Sequence, residues 1–302
     1  MSLLIVGSIA LDTVHTPYGK AEDAVGGSAV YGAYAASRMT PVSIVGVVGD
    51  DFPAAEMRSL SRCGVNLDGV QRIKGGRTFR WGGRYLDDIN KRETLFTELN
   101  VFGDFAPRLP KSYRRIPNVF LANIDPELQL DVLAQIEKPR LVVCDTMNLW
   151  IDIKRPMLKR LFKRLDCLLL NDEETLMLGE SASLTKAALN LRRAGVRRII
   201  VKKGEHGCMM FGPEGVFGAP ALPLASVKDP TGAGDTFAGG LTGYLSRHSL
   251  TEANWRKAIV VGTALASFCV EDFSTRRLRR LDRAAITKRC EEVRCMMQVG
   301  KV

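Results

Sequence analysis

Short aliphatic runs alternate with stretches of helical spacing over most of the chain, and nothing else in the sequence restricts the fold as strongly. Residues 3–6 and 42–48 are apolar runs ending in glycine, and 119–122, 141–144, 167–170 and 199–201 are similar in character. Runs this short and continuously apolar suit strands buried on both faces. Between them, 28–39 is rich in alanine and small residues, while 127–136, 157–165 and 184–194 repeat apolar residues at helical spacing. The alternation predicts an α/β fold with a mainly parallel sheet covered on both sides. The last third turns helical, over 235–245, 255–270 and 284–297.

One segment departs from this pattern. Residues 70–99 contain Gly75-Gly76, Gly82-Gly83 and the alternating aromatics Phe79, Trp81 and Tyr85, with no helical period. Two to four antiparallel strands projecting from the body are expected, with Phe79, Trp81 and Tyr85 on one face and Arg80 and Arg84 on the other. A sheet this small buries little by itself, so it should cover a cleft or pair with a second subunit. No repeat or low-complexity linker divides the chain, and a single domain over 1–302, with a β lid contributed mainly by 70–100, is the expected organisation.

Composition closes off several function classes. Apolar residues make up 46% and charged residues 25%, and no apolar run reaches membrane-spanning length, so a soluble protein is expected. The N-terminal stretch lacks a basic leader, which argues against a signal peptide. Seven scattered cysteines without a Cys-x-x-Cys pair, beside three histidines, speak against zinc or a disulfide framework and for a reducing cytoplasm. The net charge of +10, with Arg192-Arg193, Arg197-Arg198 and Arg276, Arg277, Arg279 and Arg280, admits nucleic-acid binding or a solvated basic surface. No recognition motif accompanies these clusters, so no nucleic-acid partner is expected.

The most informative stretch is Asp229-Pro230-Thr231-Gly232-Ala233-Gly234-Asp235-Thr236, which follows the strand-like region 216–227 and opens a helix. Its glycines permit unusual backbone angles and close approach of an anion to the amides. A helix start presents unpaired N–H groups and a positive dipole end. Asp235 in the first turn would place a base beside that anion, as phosphoryl transfer requires. A bare Gly-x-Gly turn could equally be a simple bend, with Asp235 as a helix cap. The stretch is not a Walker loop, and Phe237 stands where a dinucleotide fingerprint has its third glycine.

The full stretch resembles the C-terminal signature of the ribokinase, or PfkB, carbohydrate and purine kinases, and other segments resemble that family in the same order. Gly7-Ser8-Ile9-Ala10-Leu11-Asp12 is similar to its first strand, and Gly26-Gly27-Ser28 to its di-glycine turn. Residues 45–52 are similar to its Val-Gly-x-Asp-x-Phe segment, Asn171-Asp172-Glu173-Glu174 to its Asn-x-x-Glu motif, and 201–207 to the strand and turn near the nucleotide. The resemblance implies a ribokinase-like three-layer sandwich and an ATP-dependent kinase.

It also implies site residues. Asp235 would be the base, with the Gly232, Ala233 and Gly234 amides stabilising the transferred group. Asp12, Gly26, Gly27, Ser28, Phe79, Trp81 and Asn123 would meet the acceptor, with Asp12 at a strand's carboxyl end. Asn171, Glu174, Lys202, Gly204 and Gly207 would meet ATP, and Glu174 would hold Mg²⁺ through water. Asp229 and Thr231 would belong to a loop for a monovalent cation such as K⁺. Each of these residues also has an ordinary reading: Asp12 as a turn aspartate, Glu174 as a helix-start glutamate favoured by the dipole. Asp145, at another strand end, could border the acceptor. Ala10, Ser28 and Tyr31 replace residues that contact sugar in ribokinase-like members, and Pro53 replaces a glycine. The turn at 26–31, the lid aromatics and Asp145-Thr146-Met147-Asn148 look closer to the bacterial nucleoside-kinase branch. The implied reaction is phosphorylation of a nucleoside 5′-hydroxyl, with a sugar or polyol kinase as alternative and a non-catalytic nucleotide-binding regulator as the non-enzyme rival. A small-molecule acceptor and a homodimer through the lid are the expected partners.

Overall fold

The computed structural model describes residues 1–86 and 91–298. The aliphatic runs form strands β1 (Leu3–Val6), β4 (Val42–Gly49), β8 (Asn118–Leu121), β9 (Leu141–Asp145), β10 (Cys167–Asn171) and β11 (Ile199–Lys202). Strands β2 (Ala10–Thr16), β3 (Gly19–Gly26), β5 (Val65–Ile73), β6 (Phe79–Tyr85), β7 (Arg92–Glu98), β12 (Cys208–Gly212) and β13 (Gly215–Ala219) complete the set. The large sheet runs β13-β12-β11-β10-β9-β8-β1-β4-β5. Its strands pair in parallel from β5 to β11, and the β12–β13 hairpin closes one edge antiparallel.

Alternation along β1 shows why these runs must be apolar throughout. Leu3 and Ile5 enter one hydrophobic core with the helices Ser28–Ala36, Ala233–Arg247 and Glu252–Cys269. Leu4 and Val6 enter a second core with the helices Pro126–Gln135, Arg155–Leu161 and Leu184–Arg193. The sheet is the middle layer of an α/β/α sandwich, as expected.

The small sheet differs from its expectation. Its order is β3-β2-β6-β7, so half of it comes from residues 10–26 rather than from 70–100. Residues 70–73 belong to β5 at the edge of the large sheet, and β2 pairs with β6 in parallel. Strands β2 and β3, close after β1 and mixed polar and apolar, carry no sign in their own sequence of pairing with a strand some 70 residues on. Arg80 is not turned freely outward: it pairs with Asp23 and Asp51. Asp51 also accepts from the amide and hydroxyl of Thr78, both at 2.7 Å, anchoring the start of β6.

Several arginines of the basic clusters are engaged internally. Arg198 is buried, pairs with Glu252 at 3.2 Å and lies over the Trp255 ring; Arg279 pairs with Glu56 at 2.7 Å. Among the described residues, no helix is long and apolar enough to cross a membrane, and all seven cysteines are free thiols.

Candidate active site

Parallel strands deliver their carboxyl ends to one edge of a sheet, where open α/β folds bind ligands. Here β9 ends on Asp145, β10 on Asn171 and β11 on Lys202. The Lys202 ammonium donates to both Asp145 carboxylate oxygens, at 2.9 and 3.2 Å. Asn171 caps the helix Asp172–Leu178: its side chain accepts from the Glu174 amide at 2.7 Å, and Glu174 accepts from the Asn171 amide at 2.7 Å. The reciprocal pair is a capping box. Glu174 therefore does serve as a helix-start residue, yet its carboxyl also feels the cleft. Burial raises it to about 7, with Lys202 opposing and Asp145 reinforcing the rise.

The helix Ala233–Arg247 starts at Gly232, with φ 76° and ψ 2°. That backbone is left-handed, and a Cβ there would run into the Tyr31 ring, so glycine is required twice over. No side chain caps this helix, which leaves its amide end available to an anion. The Ala233 amide is an exception to the expected trio, since it donates to the Pro230 carbonyl at 3.2 Å. Gly232 and Gly234 are left to offer theirs. Asp235 follows in the first turn, partly open to the cleft. Burial, reinforced by Asp145 and opposed by Lys202, raises its carboxyl to about 7. A carboxyl held near neutrality beside an anion site is suited to accept a proton.

A cavity of about 550 Å³ opens beside the turn, lined by Lys202, Gly204, Gly207, Ala233, Gly234 and Phe237 among others. Of the residues expected to meet a nucleotide, Lys202, Gly204 and Gly207 share this space of ligand size, whereas Asn171 and Glu174 are not in its lining.

The small sheet does not line this cavity and meets the anion turn from another side, through Tyr85 and Thr231. Asp12 lies within β2, not at the carboxyl end of a core strand as expected. It is buried, and burial, then Asp229 and Asp235, raise its carboxyl to about 8. Gly26 leaves room for that carboxylate, which a Cβ would strike, and Gly27 at φ 95° turns the chain into the helix Ser28–Ala36. Ser28 is mainly a clasp: its Oγ accepts from the Ser8 amide at 3.1 Å and donates to the Asn123 carbonyl at 3.3 Å. The Asn123 side chain accepts from the Trp150 indole at 3.1 Å.

Asp12 and Trp81 are register partners on β2 and β6, so both leave the sheet on one face. The Trp81 ring lies along Gly83, filling the space a side chain there would need. Phe79 packs on Phe102, with ring centroids 5.2 Å apart. Tyr85 ties the small sheet to the anion turn: its hydroxyl and the Thr231 hydroxyl are 3.1 Å apart. Asp229 accepts from the Thr231 and Ser274 amides at 2.9 and 3.2 Å. The side chains of Asp229 and Thr231 therefore brace this loop.

Little in the residues themselves announces the Lys202–Asp145 pair. A charge closing an apolar run was its signal, present at both positions, though at Lys202 it is followed by Lys203. Asp51 and Tyr85 as fasteners of the small sheet depend on register and had none.

Residues 120–280 match the family described as pfkB family carbohydrate kinase, more than half of the chain. A cytidine kinase from Thermococcus kodakarensis is 29% identical over 262 residues, covering 83% of this chain and 91% of that protein. A nucleoside kinase from Methanocaldococcus jannaschii is 28% identical over 238 residues, covering 70% and 76%. The structure of Burkholderia thailandensis nucleoside kinase in complex with inosine superposes with a TM-score of 0.79 at 20% identity, covering 96% of this chain and 97% of that one.

Proposed function

This chain belongs to the pfkB family of carbohydrate kinases and is an ATP-dependent kinase acting on an alcohol group, and on that premise we propose that its acceptor is a nucleoside, phosphorylated at the 5′-hydroxyl. The observation that carries this reading is the shared face of Asp12 and Trp81. A buried carboxyl beside a flat aromatic ring matches a molecule with adjacent hydroxyls at one end and a planar base at the other. The relatives named cytidine kinase and nucleoside kinase point the same way.

In the proposed step, the acceptor oxygen attacks the γ-phosphorus of ATP. A bond forms between them as the bond from that phosphorus to the β–γ bridging oxygen breaks, releasing ADP. The hydroxyl proton passes to Asp235. The amides of Gly232 and Gly234, with the positive end of their helix, face the charge on the moving group. Asp12 orients the ribose hydroxyls, Trp81 supports the base, and the cavity at Lys202, Gly204 and Gly207 takes the nucleotide.

The residues fit Mg²⁺ held through water. Among the described residues no three acidic, histidine or cysteine side chains converge to cage a metal, and Glu174 keeps one carboxylate oxygen outside its capping box. Magnesium retains several waters and leans on phosphates, so Asn171 and Glu174 would hold it there, and it would neutralise phosphate charge. The loop braced by Asp229 and Thr231 is where a monovalent cation such as K⁺ would sit. Strand β7 is exposed along its whole length, with Leu95 and Phe96 uncovered. An open edge of this kind suits a second copy of the chain. Seven free thiols suit a reducing cytoplasm.

The test is ATP consumption across cytidine, inosine, adenosine and guanosine set against ribose, hexoses and inositols. Turnover on a nucleoside with a 5′-monophosphate product is expected. Inert nucleosides beside an efficiently phosphorylated hexose or inositol would replace this reading with a sugar or polyol kinase.

A further inference from the structure

Arg92 has no part in the site as described so far, yet the sheet register brings it there. It is the Cα partner of Tyr85 across β6 and β7. Directly paired residues project from the same face, so Arg92 leaves the small sheet on the face of Tyr85, Trp81 and Asp12. Its guanidinium carbon lies 5.0 Å from the Trp81 ring centroid. Although β7 is exposed, this cation is drawn back over an aromatic ring. Its charge opposes the rise that burial imposes on Tyr85, and it is also felt at Glu174. Tyr85 in turn meets Thr231 of the anion turn. Arg92 therefore sits at the seam between the small sheet and the catalytic turn, on the cleft side.

The cleft has a use for a cation there. Asp12, Asp145, Glu174, Asp229 and Asp235 interact electrostatically around it, and Lys202 is already paired with Asp145. A triphosphate adds further negative charge. Phosphoryl transfer spreads charge over three oxygens, and a planar guanidinium can meet two of them at once.

We infer that Arg92 is a catalytic residue that contacts the terminal phosphoryl group of the nucleotide donor from the small-sheet side, opposite the Gly232–Gly234 amides. The inference rests on the kinase reading above, and it assigns a role no motif in the sequence marks.

The experiment compares wild type, Arg92→Ala and Arg92→Lys for binding of ADP and of the non-hydrolysable β,γ-imido analogue of ATP, and for turnover. Arg92→Ala is expected to bind the triphosphate analogue about 10-fold more weakly, to bind ADP as wild type does, and to lose about 100-fold in kcat. Arg92→Lys keeps the charge without the fork and should recover only part of the loss. Added guanidinium should rescue the alanine variant and not the lysine variant. Unchanged affinity for both nucleotides in Arg92→Ala would overturn the assignment. So would a loss confined to acceptor KM, which is what a mere prop for Trp81 would give. The two binding constants decide the role of Arg92 even if wild type phosphorylates neither nucleosides nor sugars, a result that would sink the acceptor reading separately.

Discussion

The carboxyl edge of the large sheet and the small β sheet both approach the turn at Gly232, but they are built on different terms. β9 is buried at every residue, and β10 and β11 at every residue but the last, so Asp145, Asn171 and Lys202 ride on strand ends that cannot shift without disturbing two cores. β7 is exposed at every residue, and its neighbour β6 is fastened by polar contacts: Asp51 to Thr78, Arg80 to Asp23 and Asp51, Tyr85 to Thr231. Deeply packed elements open rarely, whereas lightly packed ones yield at little cost. On the proposed reading, the difference places proton transfer and the anion turn on the rigid side, and recognition of the acceptor together with the inferred phosphoryl contact of Arg92 on the adaptable side.

The largest expected effect falls on the rigid side. Asp235→Asn should fold normally, bind ATP, and lose kcat by roughly 100-fold or more, because it removes the proton acceptor and leaves the anion turn intact. Stopped-assay kinetics with nucleotide binding measured in parallel is the check; wild-type turnover would remove Asp235 from the chemistry. Next comes Glu174→Gln. Glutamine can still accept from the Asn171 amide, so the capping box survives while the charge is lost. The Mg²⁺ concentration for half-maximal activity should rise several-fold, and identical Mg²⁺ titrations of the two proteins would leave Glu174 as a cap alone.

A smaller effect tests the small sheet through pH. The Asp12 carboxyl sits at about 8 in the fold, above its ordinary value of 3.8. Its neutral form therefore favours the folded state, a contribution complete below about 4 and lost as pH climbs through 8. Asp12→Asn, neutral at every pH, should lie near wild type in Tm at pH 4 and exceed it by a few degrees at pH 8.5. Equal Tm differences at both values would mean that Asp12 is better solvated than its burial indicates. The mildest effect concerns the β7 edge: sedimentation over a concentration series should show a dimer that dissociates on dilution. A monomer throughout would leave β7 a free edge.

The same contrast explains what could be read from the sequence. Large-sheet strands are legible because burial on both faces demands unbroken apolar runs such as Leu3–Val6. The turn at Gly232 is legible because a left-handed backbone against Tyr31 admits one residue type. β2 and β3 were missed as partners of β6 because their pairing is long-range and their residues are mixed polar and apolar. Arg92 was invisible for a related reason: only the β6–β7 register reveals which face it joins. Asp12 lies within β2 rather than at the expected strand end, since a motif identifies a residue without fixing the strand that carries it.

The division between the two sheets is tested most directly by steady-state kinetics of Trp81→Ala with both substrates varied. Stacking on a base is worth about 1–3 kcal/mol, so acceptor KM should rise roughly tenfold while KM for ATP stays at the wild-type value. An unchanged acceptor KM, or an equal rise in both constants, would contradict the assignment of acceptor recognition to the small sheet.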